Sequence, residues 1–154
     1  MPSQNLKKLI ARQLGESARV LESTAKLAPA LEKAAQALVD VYRGGGKIMT
    51  FGNGGSACDA QNFADELVGR FERNRPPLPA VALTVNTSDL TSIANDYGYD
   101  QVFSRQLQAH AKPGDIAVAI STSGNSPNVL KAVEMAKKLG LTTIGLTGAS
   151  GGKL

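Results

Sequence analysis

Four hydroxyl side chains, Ser121, Thr122, Ser123 and Ser126, crowd the stretch Ser121-Thr122-Ser123-Gly124-Asn125-Ser126. An apolar, β-branched run at 116–120 precedes it and a helix-patterned segment at 127–139 follows, so it occupies a strand-to-helix turn. Such a turn carries unpaired backbone N–H groups and the positive end of a helix dipole, both of which favour an anion. Hydroxyls and amides, with no lysine in the loop, suit a phosphate monoester on a small substrate. Ordinary helix capping is the competing reading, with Asn125 or Ser126 before Pro127. One cap needs one such residue and leaves the other hydroxyls unexplained.

A second loop, Phe51-Gly52-Asn53-Gly54-Gly55-Ser56-Ala57, ends an earlier strand. Its glycines allow positive φ and close approach of backbone to a ligand. The dinucleotide fingerprint fails, because the next strand ends in Thr84-Val85-Asn86 without the acidic residue that grips a ribose. A P-loop is excluded, since no Gly-Lys-Ser/Thr follows. The loop suits a sugar phosphate, and Ser56 with Asp59 three residues on also reads as a helix capping box. On the helix that follows, Asn62 and Glu66 share one face. Phe63, Leu67 and Phe71 form a core stripe that sets Glu66 beside the buried edge, where a carboxylate can serve as a raised-pKa general base. A solvated helix carboxylate is the alternative. Asn95 and Asp96, at a helix end, either bind sugar hydroxyls or form an Asx turn. His110, the single histidine, lies before the third strand, away from these loops, and reads as a surface residue.

The elements that must position these residues follow from periodicity. Apolar spacing predicts helices over 6–27 and 31–42, separated by Pro29 and ended by Gly44-Gly45-Gly46. From Lys47 the period changes. Strands are predicted at 47–51, 79–85, 116–120 and 142–147, with helices at 56–71, 90–95, 102–111 and 127–139. Strands alternating with helices imply parallel βαβ units in a three-layer α/β domain, whose ligands bind beyond the carboxyl ends of the strands. The organisation expected is a helical pair over 1–45, used for oligomerisation, and a sugar-phosphate-binding domain over 46–154. The last strand looks central, so the domain reads as incomplete at its C-terminal side.

Composition narrows the classes. At 154 residues with 42% hydrophobic content, the chain suits one ordinary globular domain. Its net charge of +4 is a mild excess, and the cluster Arg70, Arg73, Arg75 contains Glu72 and no interleaved aromatics. That cluster reads as a solvated loop or an anion-attracting rim, not a nucleic-acid surface. The lone Cys58 fits a reducing cytosol, and no run approaches membrane-spanning length. A cytoplasmic protein is expected.

Five motifs in order, Phe51-Gly-Asn-Gly-Gly-Ser-Ala-Cys-Asp-Ala-Gln61, Glu66-Leu-Val-Gly-Arg-Phe71, Ala94-Asn-Asp-Tyr-Gly98, Ile120-Ser-Thr-Ser-Gly-Asn-Ser126 and Leu146-Thr-Gly-x-x-Gly-Gly-Lys153, strongly resemble the phosphoheptose isomerases. These are the sedoheptulose 7-phosphate isomerases of the sugar isomerase (SIS) family. The resemblance implies a SIS domain with a flavodoxin-like parallel sheet behind a helix pair. It implies a cytoplasmic homotetramer with sites at subunit interfaces, making heptose 7-phosphate for lipopolysaccharide core or related glycans. By the same resemblance Ser56, Ser121, Thr122, Ser123 and Ser126 hold the phosphate, and Asn53, Gly54, Gly55, Asn95 and Asp96 line the sugar. Glu66 is the implied base of an aldose–ketose proton transfer through an enediol, and also a zinc ligand. The family usually has His where this chain has Asn62, and an amide oxygen is a poor substitute for imidazole at zinc. The family's remaining ligands, a Gln and a His on a C-terminal helix, have no counterpart within these residues. The runner-up is a non-catalytic SIS protein, a sugar-phosphate sensor or a tetrameric adaptor resembling the replication-initiator-binding relatives.

Overall fold

The computed structural model describes residues 3–154, which divide after Gln36 into two compact units. The first unit holds α1 (Ser3–Thr24), a 3-10 turn (Ala25–Leu27) and the start of α2 (Ala28–Arg43). Residues 1–2 of the expected helical segment lie outside the described residues. Pro29 falls in the first turn of α2, where its missing N–H breaks no helical bond, so the second helix starts earlier than the predicted 31. Along α1, Leu6, Leu9, Ile10 and Leu14 recur at helical spacing and are 45–67% exposed.

The second unit contains β1 (Ile48–Gly52), α3 (Gly55–Val68), β2 (Ala80–Ala82), α4 (Thr87–Tyr97) and a 3-10 turn (Tyr99–Gln101). It continues with α5 (Val102–His110), β3 (Ile116–Ser121), α6 (Pro127–Lys138) and β4 (Thr142–Thr147). The four strands form one all-parallel sheet in the order β2-β1-β3-β4. Period-2 alternation sends the strand side chains to two separate cores. Met49, Phe51, Ala117 and Ala119 face Val102, Phe103 and Leu107 of α5 and Val129, Ala132 and Ala136 of α6. Ile48, Ile116, Val118 and Ile120 face Val41 of α2 and Ala60, Phe63 and Leu67 of α3. Helices therefore cover both faces, as the alternating pattern implied. Chain progression reverses between β1 and β3, and the crevice beyond their carboxyl ends is where a doubly wound sheet takes its ligand.

Two expectations are corrected. The helix expected over 56–71 stops at Val68: Gly69 N–H bonds the Asp65 carbonyl, and the Arg75 guanidinium donates to the Glu66 and Leu67 carbonyls at 2.6 and 2.8 Å. Phe71 is thereby left outside the helix and 62% exposed, so it is no part of the core stripe, and Arg75 is a helix terminator and not a solvated rim charge. The strand expected over 79–85 keeps three residues, because Asn86 caps α4 by accepting from the Ser88 and Asp89 N–H groups and turns the chain into helix. β4 is the outer strand of the described sheet and largely exposed.

At the amino ends of the strands a single carboxylate ties the sheet together. Asp115, 3% exposed, accepts from the Lys47 and Lys112 backbone N–H groups at 2.9 and 2.8 Å and from the Lys47 ammonium at 2.6 Å. Burial pushes its pKa upward, but the Lys47 ammonium and these N–H donors outweigh that and hold it below the usual carboxylate range.

Candidate functional site

Beyond the carboxyl ends of β1 and β3 lies a cavity of about 230 Å³ lined by Asn53, Ser56, Ile120, Ser121, Thr122, Ser123 and Ser126. All four hydroxyls of the β3–α6 loop reach it, together with one from the β1–α3 loop. Local geometry explains how. Gly54, at φ 56°, is the cap residue of α3, so Ser56 falls inside the first turn and its hydroxyl makes no capping bond. The Ser56–Asp59 capping box is thus replaced by a glycine turn, which leaves the hydroxyl for the cavity. Ser126 occupies the cap position of α6 but likewise makes no capping bond; its Oγ lies 3.2 Å from Ser121 Oγ. Asn125 turns back on Ser123, donating from Nδ2 to the Ser123 carbonyl, while its backbone N–H donates to Ser123 Oγ. Ser121 is 4% exposed, whereas Thr122 and Ser123 are open to solvent. The result is a polar bowl of hydroxyls at a helix N-terminus, with no lysine or arginine in its lining.

Two features of this bowl go beyond the sequence reading, which placed the 146–153 motif at this end of the sheet but gave it no partner and passed over Asn128. The segment after β4 laces onto the loop: Gly148 N–H bonds the Thr122 carbonyl, and the Lys153 and Leu154 N–H groups bond the Gly124 carbonyl. A Cβ on Gly124, at φ 61°, would sit 1.9 Å from the Gly151 carbonyl oxygen, so the strap fits only against glycine. The second is Asn128, 2% exposed, whose amide pairs reciprocally with that of Asn53 at 2.8 Å in both directions. Its signal lay in periodicity, since Asn128 shares a helix face with buried Ala132 and Ala136. A polar side chain at such a position must find a partner.

The remaining candidates lie apart from the bowl. Glu66 is exposed on α3, ten residues beyond Ser56, or about 15 Å along the helix axis. It does not sit at a buried edge, because α3 ends two residues later and Phe71 never reaches the core. Asn62, one turn earlier, is also exposed. Asn95 and Asp96 stand on the exposed last turn of α4, the Asn95 amide donating to the Asp96 carboxylate at 2.8 Å, and neither lines the cavity. His110 ends α5 on the surface. A metal finds no ready-made cage: among the described residues no three His, Cys, Asp or Glu side chains cluster. Glu66 and Asn62 offer one carboxylate and one amide, short of the three or four donors that zinc takes. A larger cavity, about 520 Å³, opens at the opposite ends of the strands, among Gly44, Gly45, Gly46 and Asp115. Its one buried charge is already committed to the Lys47 and Lys112 bonds.

A family model described as "SIS domain" matches residues 14–148. The chain is 59% identical over 127 residues to a phosphoheptose isomerase of Rhodospirillum rubrum, the match covering 82% of this chain and 68% of that protein. It is 60% identical over 124 residues to a probable phosphoheptose isomerase of Thermoplasma volcanium, covering 80% of this chain and 63% of that one. Among solved structures, the phosphoheptose isomerase from Neisseria gonorrhoeae superposes with a TM-score of 0.90 at 46% identity, over 96% of this chain and 78% of that chain. No helix among the described residues is long and apolar enough to cross a membrane.

Proposed function

The chain belongs to the SIS domain family, and we propose that it works as a phosphoheptose isomerase, interconverting sedoheptulose 7-phosphate and D-glycero-D-manno-heptose 7-phosphate. The observation that carries this is the hydroxyl bowl at the β1/β3 switch point. Its Ser56, Ser121, Thr122, Ser123 and Ser126 hydroxyls, with the N-terminus of α6, take the phosphate. Asn53, Gly54 and Gly55 face the sugar chain. Glu66 is the base, removing a proton alpha to the carbonyl and returning it to the neighbouring carbon through an enediol. Its distance of about 15 Å from Ser56 along α3 suits a site shared between subunits. There Asn95 and Asp96, exposed on each chain, also meet the sugar. The assembly is a homotetramer in the cytoplasm, feeding lipopolysaccharide or related glycans. What supports it is the apolar stripe Leu6, Leu9, Ile10 and Leu14, which is exposed in the single chain. Zinc, if held through Glu66, is held more weakly than by a relative with His at the position of Asn62.

The test is calorimetric titration of sedoheptulose 7-phosphate into the parent chain and into the Ser121→Ala, Ser123→Ala double variant. Two hydrogen bonds to a charged phosphate are worth about 3 kcal/mol or more together, so affinity should fall roughly a hundredfold while circular dichroism stays unchanged. Undiminished binding in the double variant would show that the bowl is not the phosphate site.

A further inference from the structure

We propose that Asn128 is a positioning residue that turns Asn53 into a one-way hydrogen-bond donor toward the cavity; this rests on the sugar-phosphate reading of the bowl. An asparagine amide offers two N–H donors and an oxygen with two acceptor sites. Asn53 Oδ1 accepts from Asn128 Nδ2 at 2.8 Å and from the Tyr99 hydroxyl at 3.2 Å, which fills it. Asn53 Nδ2 spends one N–H on Asn128 Oδ1 at 2.8 Å. One N–H remains, on a residue that lines the bowl.

A reciprocal amide pair is in principle symmetric, since both amides can flip together. Here the backbone removes that symmetry. The Val129 N–H donates to Asn128 Oδ1 at 3.0 Å, and a flipped Asn128 would turn its NH₂ group toward that donor. The first turn of α6 therefore dictates the sense of Asn128, Asn128 dictates the sense of Asn53, and the Tyr99 hydroxyl, donating to Oδ1, holds the oriented amide in place. The Lys131–Asp100 ion pair holds the Tyr99 turn against α6 one helical turn beyond Asn128. The consequence is selectivity. Asn53 can serve an acceptor oxygen, such as a phosphoryl or carbonyl oxygen, but cannot accept from a hydroxyl placed there.

The experiment is a double-mutant cycle read by calorimetry with sedoheptulose 7-phosphate on the whole chain, with thermal unfolding recorded for each variant. Asn128→Ala should weaken binding about tenfold in the parent and change it by less than about twofold in an Asn53→Ala background. A role in general stability would weaken binding by the same factor in both backgrounds, and that result, or no loss in the parent, overturns the proposal. Should Asn128→Ala fail to fold, Tyr99→Phe decides. It removes a single hydroxyl from an exposed ring, and is expected to weaken binding about twofold to fivefold only when Asn53 is present. An equal loss in both backgrounds, or none, overturns the positioning role. A parent chain that does not bind the sugar phosphate overturns the functional reading, and this proposal with it.

Discussion

Replacing Asp115 by alanine removes the one carboxylate that joins the amino ends of β1 and β3. Three donors lose their acceptor: the Lys47 N–H, the Lys112 N–H and the Lys47 ammonium. Each backbone donor left without a partner costs about 1–3 kcal/mol. The ammonium keeps about a quarter of its side chain in water, so it suffers less than a fully buried ion. The sum falls at about 3–5 kcal/mol, the range for breaking a buried ion pair by deleting one partner. Against a total stability of about 5–15 kcal/mol for a domain, that is a severe loss. With a urea slope near ~2 kcal/mol/M the unfolding midpoint should drop by about 1.5–2.5 M, measured at one fixed protein concentration.

The pH dependence carries a sign that tests the cause. Asp115 has a folded pKa below its ordinary value: burial raises it, and the Lys47 ammonium with the two N–H donors more than compensates. A depressed carboxylate contributes stability that is present above its unfolded pKa and lost as pH falls through its folded pKa. The stability gap between parent and Asp115→Ala should therefore be flat above about pH 5 and shrink below the usual carboxylate range near ~3.9. A gap under about 1 kcal/mol at neutral pH, far below the range for deleting one partner of a buried pair, would refute the three-donor account. So would a gap unchanged on acidification, because the charge would then be irrelevant.

Gly52→Ala should destabilise the fold by about 1–3 kcal/mol and weaken sugar-phosphate binding, since its Cβ would lie 2.7 Å from the Ile120 carbonyl oxygen and 2.8 Å from Ser56; urea unfolding and calorimetry check the two effects separately. Asn62→His should raise zinc content in elemental analysis, because imidazole restores a strong nitrogen donor one turn from Glu66. Stoichiometric zinc in the unmodified chain would contradict this. Light scattering should report a tetramer for the chain, and deletion of residues 1–28 should give monomers or aggregates without activity; a clean parent monomer at micromolar concentration would sink the tetramer.

The sheet was legible because its strands are short apolar runs broken by glycine turns, and because parallel βαβ units admit few topologies. The bowl was legible for a local reason: four hydroxyls within six consecutive residues crowd one strand-to-helix turn. Element ends were less so. Where α3 stops depends on Arg75 reaching back to carbonyls eight and nine residues earlier, which no periodicity encodes. Likewise the Ser56–Asp59 pattern looked like a capping box, but Gly54 accepts the φ the turn needs and takes the cap position first.

The Asn53–Asn128–Tyr99 network marks the limit more sharply, because its members are 75 and 46 residues apart, joined by the β1/β3 neighbour relation and by the packing of the 99–101 turn on α6. A reader of sequence sees a glycine-rich loop, an asparagine after Ser-Pro and an exposed tyrosine, each with an adequate local explanation. What distinguishes Asn128 is that its helix face is otherwise apolar. A buried amide there carries four hydrogen-bonding valences, of which the helix backbone takes up one, through the Val129 N–H. Burial at 2% turns that demand into a constraint on another residue. The chemistry presented to the ligand by Asn53 is thus decided at Val129 N–H, on the far side of its partner. A substitution that leaves every bowl hydroxyl in place can still change which oxygen the bowl prefers.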